Sequence, residues 1–238
     1  MIWLGLDTSN LPLSAALVRD GELLVELNSA VGLNHSEGAM PAVDELFGRA
    51  GLAPSDIDAI AVAEGPGSYT GVRIGVTIAK TLAWTLDKPL TGVSSLRVLA
   101  ANVLSPDVTI CPLIDARRGN VFAGLYKRTR QGTIEVVEED RHQAFSDLLD
   151  RLGEGEGPVV FLGPGASVHW ETAGEALGHR AVRAHAGQDI PRASLLIDEA
   201  QNLPPVGDLH SFTPEYRRIP EAVSNWRKSQ EGNVPDGR

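Results

Sequence analysis

Two Gly-Pro-Gly turns limit what this chain can fold into. Gly65-Pro66-Gly67 and Gly163-Pro164-Gly165 each stand between an apolar run and a helical pattern. The runs before them are 57–63 and 159–162. The order around each turn also repeats. A strand ending in Asp7 opens the first half, and the strand 108–117, carrying Asp115, opens the second. Strand–turn–strand signals follow both: 14–19 and 22–28 across Asp20-Gly21, then 120–128 and 133–138 across Gln131-Gly132. Helical patterns follow at 36–50, at 71–86 and after Ser94 or Ser95, then at 143–152 and near 192–202. The offset is about 100 residues throughout, which predicts a duplicated α/β unit of strands then helices.

The chain has 238 residues, room for one large domain or two small ones. Four segments are expected: subdomains at 1–104 and 105–205, a segment at 206–228 that packs back, and a disordered polar tail at 229–238. A net charge of −10 argues against the chain itself being the main nucleic-acid surface. The single cysteine, Cys111, sits in an apolar run and reads as a small core residue. The N-terminal apolar stretch meets Asp7 at once, so it reads as a strand and not a signal peptide. No stretch is apolar for long enough to cross a membrane, and a cytoplasmic location is expected.

The loop 65–75 is rich in Gly, Ser and Thr and leads from a strand into a helix. Backbone N–H groups at such a place can meet an anion. Asp7, Thr8, Ser9, Gly65, Gly67, Ser68 and Thr70 are therefore the candidate anion or nucleotide contacts. The loop lacks the Gly-Lys-Ser/Thr of a phosphate-binding P-loop, and it is not Gly-x-Gly-x-x-Gly. A tight turn needing close packing would also explain its glycines. Asp7 could orient a metal or water, or cap its own turn. Arg73 could meet a phosphate or a surface carboxylate. Asp115-Ala116-Arg117-Arg118-Gly119 could face a cleft between the halves or simply end a strand. The six histidines show no His-x-x-x-His, so no metal site is expected. No Gly-x-Ser-x-Gly elbow is present either.

Several segments together are similar to one family. They are Asp7-Thr8-Ser9, His35-Ser36-Glu37 with Met40-Pro41, the loop 65–75 continuing to Ala79-Lys80, and Gly92-Val93-Ser94-Ser95-Leu96. Asp115–Gly119 with Val121-Phe122, and Pro214-Glu215-Tyr216-Arg217-Arg218, complete the set. From residue 1 to about 222 the chain resembles the TsaB (YeaZ) family, paralogues of the TsaD transferase. The resemblance implies a duplicated actin/Hsp70-like fold. It also implies a non-catalytic part in making N6-threonylcarbamoyladenosine at position 37 of tRNAs that read codons starting with A. The implied partners are a TsaD-like transferase, a TsaE-like ATPase, a second copy when the chain is alone, and tRNA only through the complex. No tightly bound cofactor is implied, though a nucleotide could sit at the complex interface. TsaD's His-x-x-x-His metal pair falls at Ser95 and Leu99, and leucine cannot bind a metal. The family's partner contact implies an interface of His35, Met40, Val43, Phe47, Tyr69, Arg73, Ile74 and Ile78. Two other readings compete: an ATP-dependent phosphotransferase or hydrolase using Asp7 and the loop, and the glycoprotease of older family labels.

Overall fold

The computed structural model describes residues 1–30 and 35–216. The first half forms β1 (Ile2–Asp7), β2 (Leu13–Arg19), β3 (Glu22–Ser29), α1 (His35–Ala50), β4 (Ala59–Gly65), α2 (Tyr69–Leu86), β5 (Leu90–Ser94) and α3 (Ser95–Ala100). The second half forms β6 (Thr109–Asp115), β7 (Asn120–Arg128), β8 (Ile134–Ala144), α4 (Phe145–Glu154), β9 (Val159–Leu162), α5 (Pro164–Leu177), β10 (Ala181–Arg183) and α6 (Ala193–Ala200). The sheets run β3-β2-β1-β4-β5 and β8-β7-β6-β9-β10, the same order written twice. Each has an antiparallel meander joined to parallel strands. The expected duplication is present strand for strand.

The helices make five layers with the sheets. Leu46, Phe47, Val72 and Val76 of α1 and α2 pack on one face of the first sheet. Leu148, Leu149, Ala166 and Ala173 of α4 and α5 pack on the outer face of the second. Between the sheets lie α3 and α6. Leu96 and Leu99 of α3 pack against Ile110, Phe122 and Tyr126 of the second sheet. Ala193, Leu196 and Ile197 of α6 pack against Trp3, Ala16 and Ala61 of the first. Chain order and packing diverge here: the helix that ends the second half covers the sheet of the first.

Polar groups fasten this middle layer. Arg97 Nε of α3 donates to Glu199 of α6 at 2.6 Å, and its Nη2 donates to the Ile134 carbonyl at 3.1 Å. Ser94 and Tyr126 both donate to the buried Asp140 carboxylate. Arg128 donates to the Val103 and Ala101 carbonyls at 2.8 and 2.7 Å, holding the C-terminal end of α3.

Some boundaries differ from those the sequence predicts. The helix α2 starts at Tyr69, two residues early, because Ser68 caps it by accepting the Gly71 N–H. The strand β8 runs on to Ala144, so α4 starts at Phe145 and not at 143. Residues 141–144 pair with 120–123 of β7 after two register shifts. Those shifts carry the ladder through a charged stretch that does not read as strand.

After α6 the chain has no regular structure up to Tyr216, yet it is tied down. Val206 N–H donates to the Leu90 carbonyl at 2.8 Å, and Glu215 N–H to the Glu64 carbonyl at 2.7 Å. Between them Leu209 and Phe212 pack on the first core, and Lys80 Nζ donates to the Phe212 carbonyl at 2.6 Å. This strap runs along α2 in the opposite direction. Arg217, Arg218 and the tail at 229–238 lie outside the described residues. No described helix is long and apolar enough to cross a membrane.

Candidate functional site at the strand ends and the outer helices

The loop 65–75 packs on the chain just past β1. Gly67, Gly71 and Gly75 recur every four residues, so they fall close together on one side of the start of α2. A methyl group on Gly67 would land on the Ser9 carbonyl, one on Gly71 on the Thr8 carbonyl, and one on Gly75 on Thr8 Oγ1. Thr8 Oγ1 donates to the Gly71 carbonyl at 2.7 Å, and Ser68 N–H donates to the Ser9 carbonyl at 2.6 Å. The glycines therefore admit the 8–9 backbone against the helix start, and Ser9 takes the Ser68 N–H that an anion would otherwise meet. Gly65 has a φ of 110° and lies under the Glu215 carbonyl of the strap. Ser68 caps the helix, and the Thr70 side chain is on the exposed surface.

Asp7 lies beneath this junction and is fully buried. Its Oδ1 accepts the Ser9 N–H at 2.8 Å, and its Oδ2 has no hydrogen-bond partner among the described residues. Burial pushes its carboxyl above the usual carboxylate range, with Ser9 and His35 partly offsetting the rise. His35 Nε2 lies 2.7 Å from the Asn10 carbonyl; a carbonyl only accepts, so this nitrogen carries the proton. A raised folded pKa means that Asp7's contribution is fully present below the unfolded pKa and is lost as pH rises through the folded one. In thermal melts, the stability of Asp7→Asn relative to wild type should therefore improve as pH rises above about 4 and level off once the folded carboxyl ionises. A pH-independent difference would mean that Asp7 titrates normally.

A cleft of about 530 Å³ opens between the halves. Asn10, Ser68 and Tyr69 line one wall, Asp115, Arg117 and Phe122 the other, with Tyr216 at the mouth. His169 is nearly buried, with Nε2 3.1 Å from Asp115 Oδ1 and its ring against Phe145. Arg117 and Arg118 have φ values of 66° and 54°, and Asn120 Nδ2 donates to both their carbonyls. Holding two arginines left-handed costs about 1 kcal/mol each, so this turn keeps its side chains at some expense to stability. Sequence reasoning missed the His169–Asp115 pair. It also missed the Tyr216 ring stacked on Tyr69 at 4.9 Å, with Arg73 Nε donating to Tyr216 Oη at 2.6 Å. Among the described residues no group of three or more His, Cys, Asp or Glu side chains could hold a metal ion. Ser95 and Leu99 are both fully buried.

The outward surface of α2 carries a second candidate site. Thr70, Thr77, Thr81 and Thr85 are exposed and Ile74 and Ile78 half-buried, forming an uncharged stripe along the helix. The strap lies on one side of this stripe and Val72, Val76 and Ala79 face the core on another. Tyr69, Trp84 and Met40 of α1 are 57%, 69% and 46% exposed. Arg73 is exposed and His35 half-buried. Val43 and Phe47 do not belong with them: at 2% and 5% exposure they face the first core. They share the apolar stripe of α1 with Leu46, and one stripe cannot serve both a core and a partner.

The family model described as TsaD, tRNA N6-adenosine threonylcarbamoyltransferase, matches residues 29–188. A tRNA threonylcarbamoyladenosine biosynthesis protein TsaB from Bacillus subtilis is 44% identical over 230 residues, covering 97% of this chain and 100% of that one. A TsaB from Escherichia coli is 30% identical over 177 residues, covering 74% and 76%. The solved structure of YeaZ from Pseudomonas aeruginosa superposes with a TM-score of 0.76 at 27% identity, covering 90% of this chain and 99% of that one.

Proposed function

Because the chain belongs to the TsaB (YeaZ) family of tRNA threonylcarbamoyladenosine biosynthesis proteins, we propose that it is a non-catalytic subunit that binds and activates a TsaD-like transferase. The observation that carries this reading is the uncharged stripe on α2, with Ile74 and Ile78 half-buried in it and Ile78 resting in part on the first core. Apolar groups on an outward helix face favour a second packing partner. The positions where the resemblance would put the transferase's metal pair support the non-catalytic part: Ser95 and Leu99 are buried, and Leu99 packs with Ile110 and Leu162 in the core between the sheets. In this reading the complex modifies position 37 of tRNAs that read codons starting with A, in the cytoplasm. A TsaE-like ATPase joins it, tRNA is reached through the complex, and the isolated chain pairs with a second copy. No cofactor is held tightly, and a nucleotide would sit at the interface with the partner.

Reconstitution tests this reading. Threonylcarbamoyl donor, TsaD, TsaE and tRNA should yield modified adenosine in the presence of this chain and far less without it. The chain with donor and tRNA alone should yield none. Modification by the chain alone, or no capture of the cognate TsaD in a pull-down, would overturn the proposal. Ile74→Glu or Ile78→Glu should weaken TsaD binding at least about 10-fold, because each puts a carboxylate into an apolar contact. A titration of each variant against TsaD, with circular dichroism to confirm folding, measures this.

One observation favours the ATP-dependent alternative: the buried Asp7 with its unpartnered Oδ2. ATP turnover by the purified chain, lost in Asp7→Ala, would establish it.

A further inference from the structure

A small notch lies where α2 meets the strap, separate from the interlobe cleft. It encloses about 290 Å³ and is lined by Thr77, Lys80, Thr81, Trp84, Leu209 and His210. The Trp84 indole forms one wall and is 69% exposed. The His210 ring meets it edge-on, with centroids 5.7 Å apart and planes at 70°. Lys80 would put a charge here, but its ammonium is turned into the strap and donates to the His210 and Phe212 carbonyls. What remains is indole, imidazole, Leu209 and two uncharged threonines.

The notch is built in advance of any contact. Main-chain bonds at Val206 and Glu215 hold the strap on both sides of it. Phe212 is seated against the first core, and a methyl group at Gly92 would strike its ring. The strap wall of the notch, with His210, is thus held in place before binding, which lowers the ordering cost of a contact. The notch is also continuous with the uncharged stripe, because Thr77 and Thr81 belong to both.

We propose that this notch receives a single apolar side chain from the TsaD-like partner, with Trp84 as the anchor. The proposal rests on the partner reading above. The chemistry fits an uncharged aliphatic or aromatic side chain, since the cavity offers no free carboxylate or ammonium. A partner unlike this chain is favoured over a second copy. Each copy carries a net charge of −10, with Glu37 and Asp44 exposed on the adjoining helix, so self-pairing sets like charges together.

The test is a titration of the full chain and its variants against the cognate TsaD. Trp84→Ala should weaken binding by about 30-fold or more, the range of an interface anchor. Thr81→Lys, which puts an ammonium at the rim, should weaken it by about 10-fold. Val168→Ala, on α5 of the other half, should leave it unchanged. Thermal melts near wild type are expected for both notch variants, since both side chains are on the surface. If wild type binds TsaD and both notch variants bind within about 2-fold of it, the notch proposal fails and the scaffold reading stands. If wild type does not bind TsaD, both fail. Loss of self-association in Trp84→Ala with TsaD binding intact would assign the notch to a second copy and overturn the proposal.

Discussion

Gly71→Ala and Gly67→Ala are each expected to lower the free energy of unfolding by about 3 kcal/mol or more, the upper range for forcing an atom into a filled core. The new methyl group would fall on the carbonyl of Thr8 or of Ser9. Backbone is the neighbour least able to move. The carbonyls struck lie just past the central strand β1, which is paired on both sides. Yielding there would disturb Ser68 N–H to Ser9 and Thr8 Oγ1 to Gly71, the bonds that start α2. Urea midpoints measure the effect. Gly48→Ala is the control: it lies in α1 with nothing near its would-be methyl group, and should be neutral or gain up to about 1 kcal/mol. If Gly71→Ala melts within about 1 kcal/mol of wild type, the loop is looser than its contacts indicate.

Arg97→Ala comes next, at about 3–4 kcal/mol, the usual cost of removing one partner from a buried ion pair. Arg97 and Glu199 are 16% and 9% exposed, and Arg97 also holds the Ile134 carbonyl of β8. Truncation strands the Glu199 carboxylate in the layer between the sheets. The double change Arg97→Met with Glu199→Leu should recover most of the loss, because two apolar groups replace a charge pair that was costly to desolvate. A double variant no more stable than Arg97→Ala would mean that Arg97 acts chiefly through Ile134.

Local signals carried most of the fold into the sequence. Asp20-Gly21 and Gln131-Gly132 are turn chemistry, and each Gly-Pro-Gly marks a strand end, so the repeat could be read from composition at fixed points. The end of β8 could not, because Glu138-Glu139-Asp140-Arg141 carries no apolar alternation and only its pairing with β7 makes it a strand. The stripe on α1 shows that a face is apolar without showing what covers it, so it could not correct the resemblance, whose implied interface includes Val43 and Phe47. At the candidate sites, the glycine loop was visible but its occupant was not. The His169–Asp115 and Arg73–Tyr216 pairs join residues 54 and 143 positions apart, a distance across which one sequence carries no pairing signal.

The exchanged middle helices also set a schedule for synthesis. By the time Ala100 is made, the first sheet has all five strands and both outer helices, but its other face, with Trp3, Ala16 and Ala61, still lacks α6. The helix that covers it begins at Ala193. At about 5–20 residues per second, the nascent chain carries that apolar face, met on its own half only by Val98 of α3, for about 5–20 s. The first half is thus complete in its strands well before it is complete as a folded body, and the ribosome releases a chain whose two halves close together.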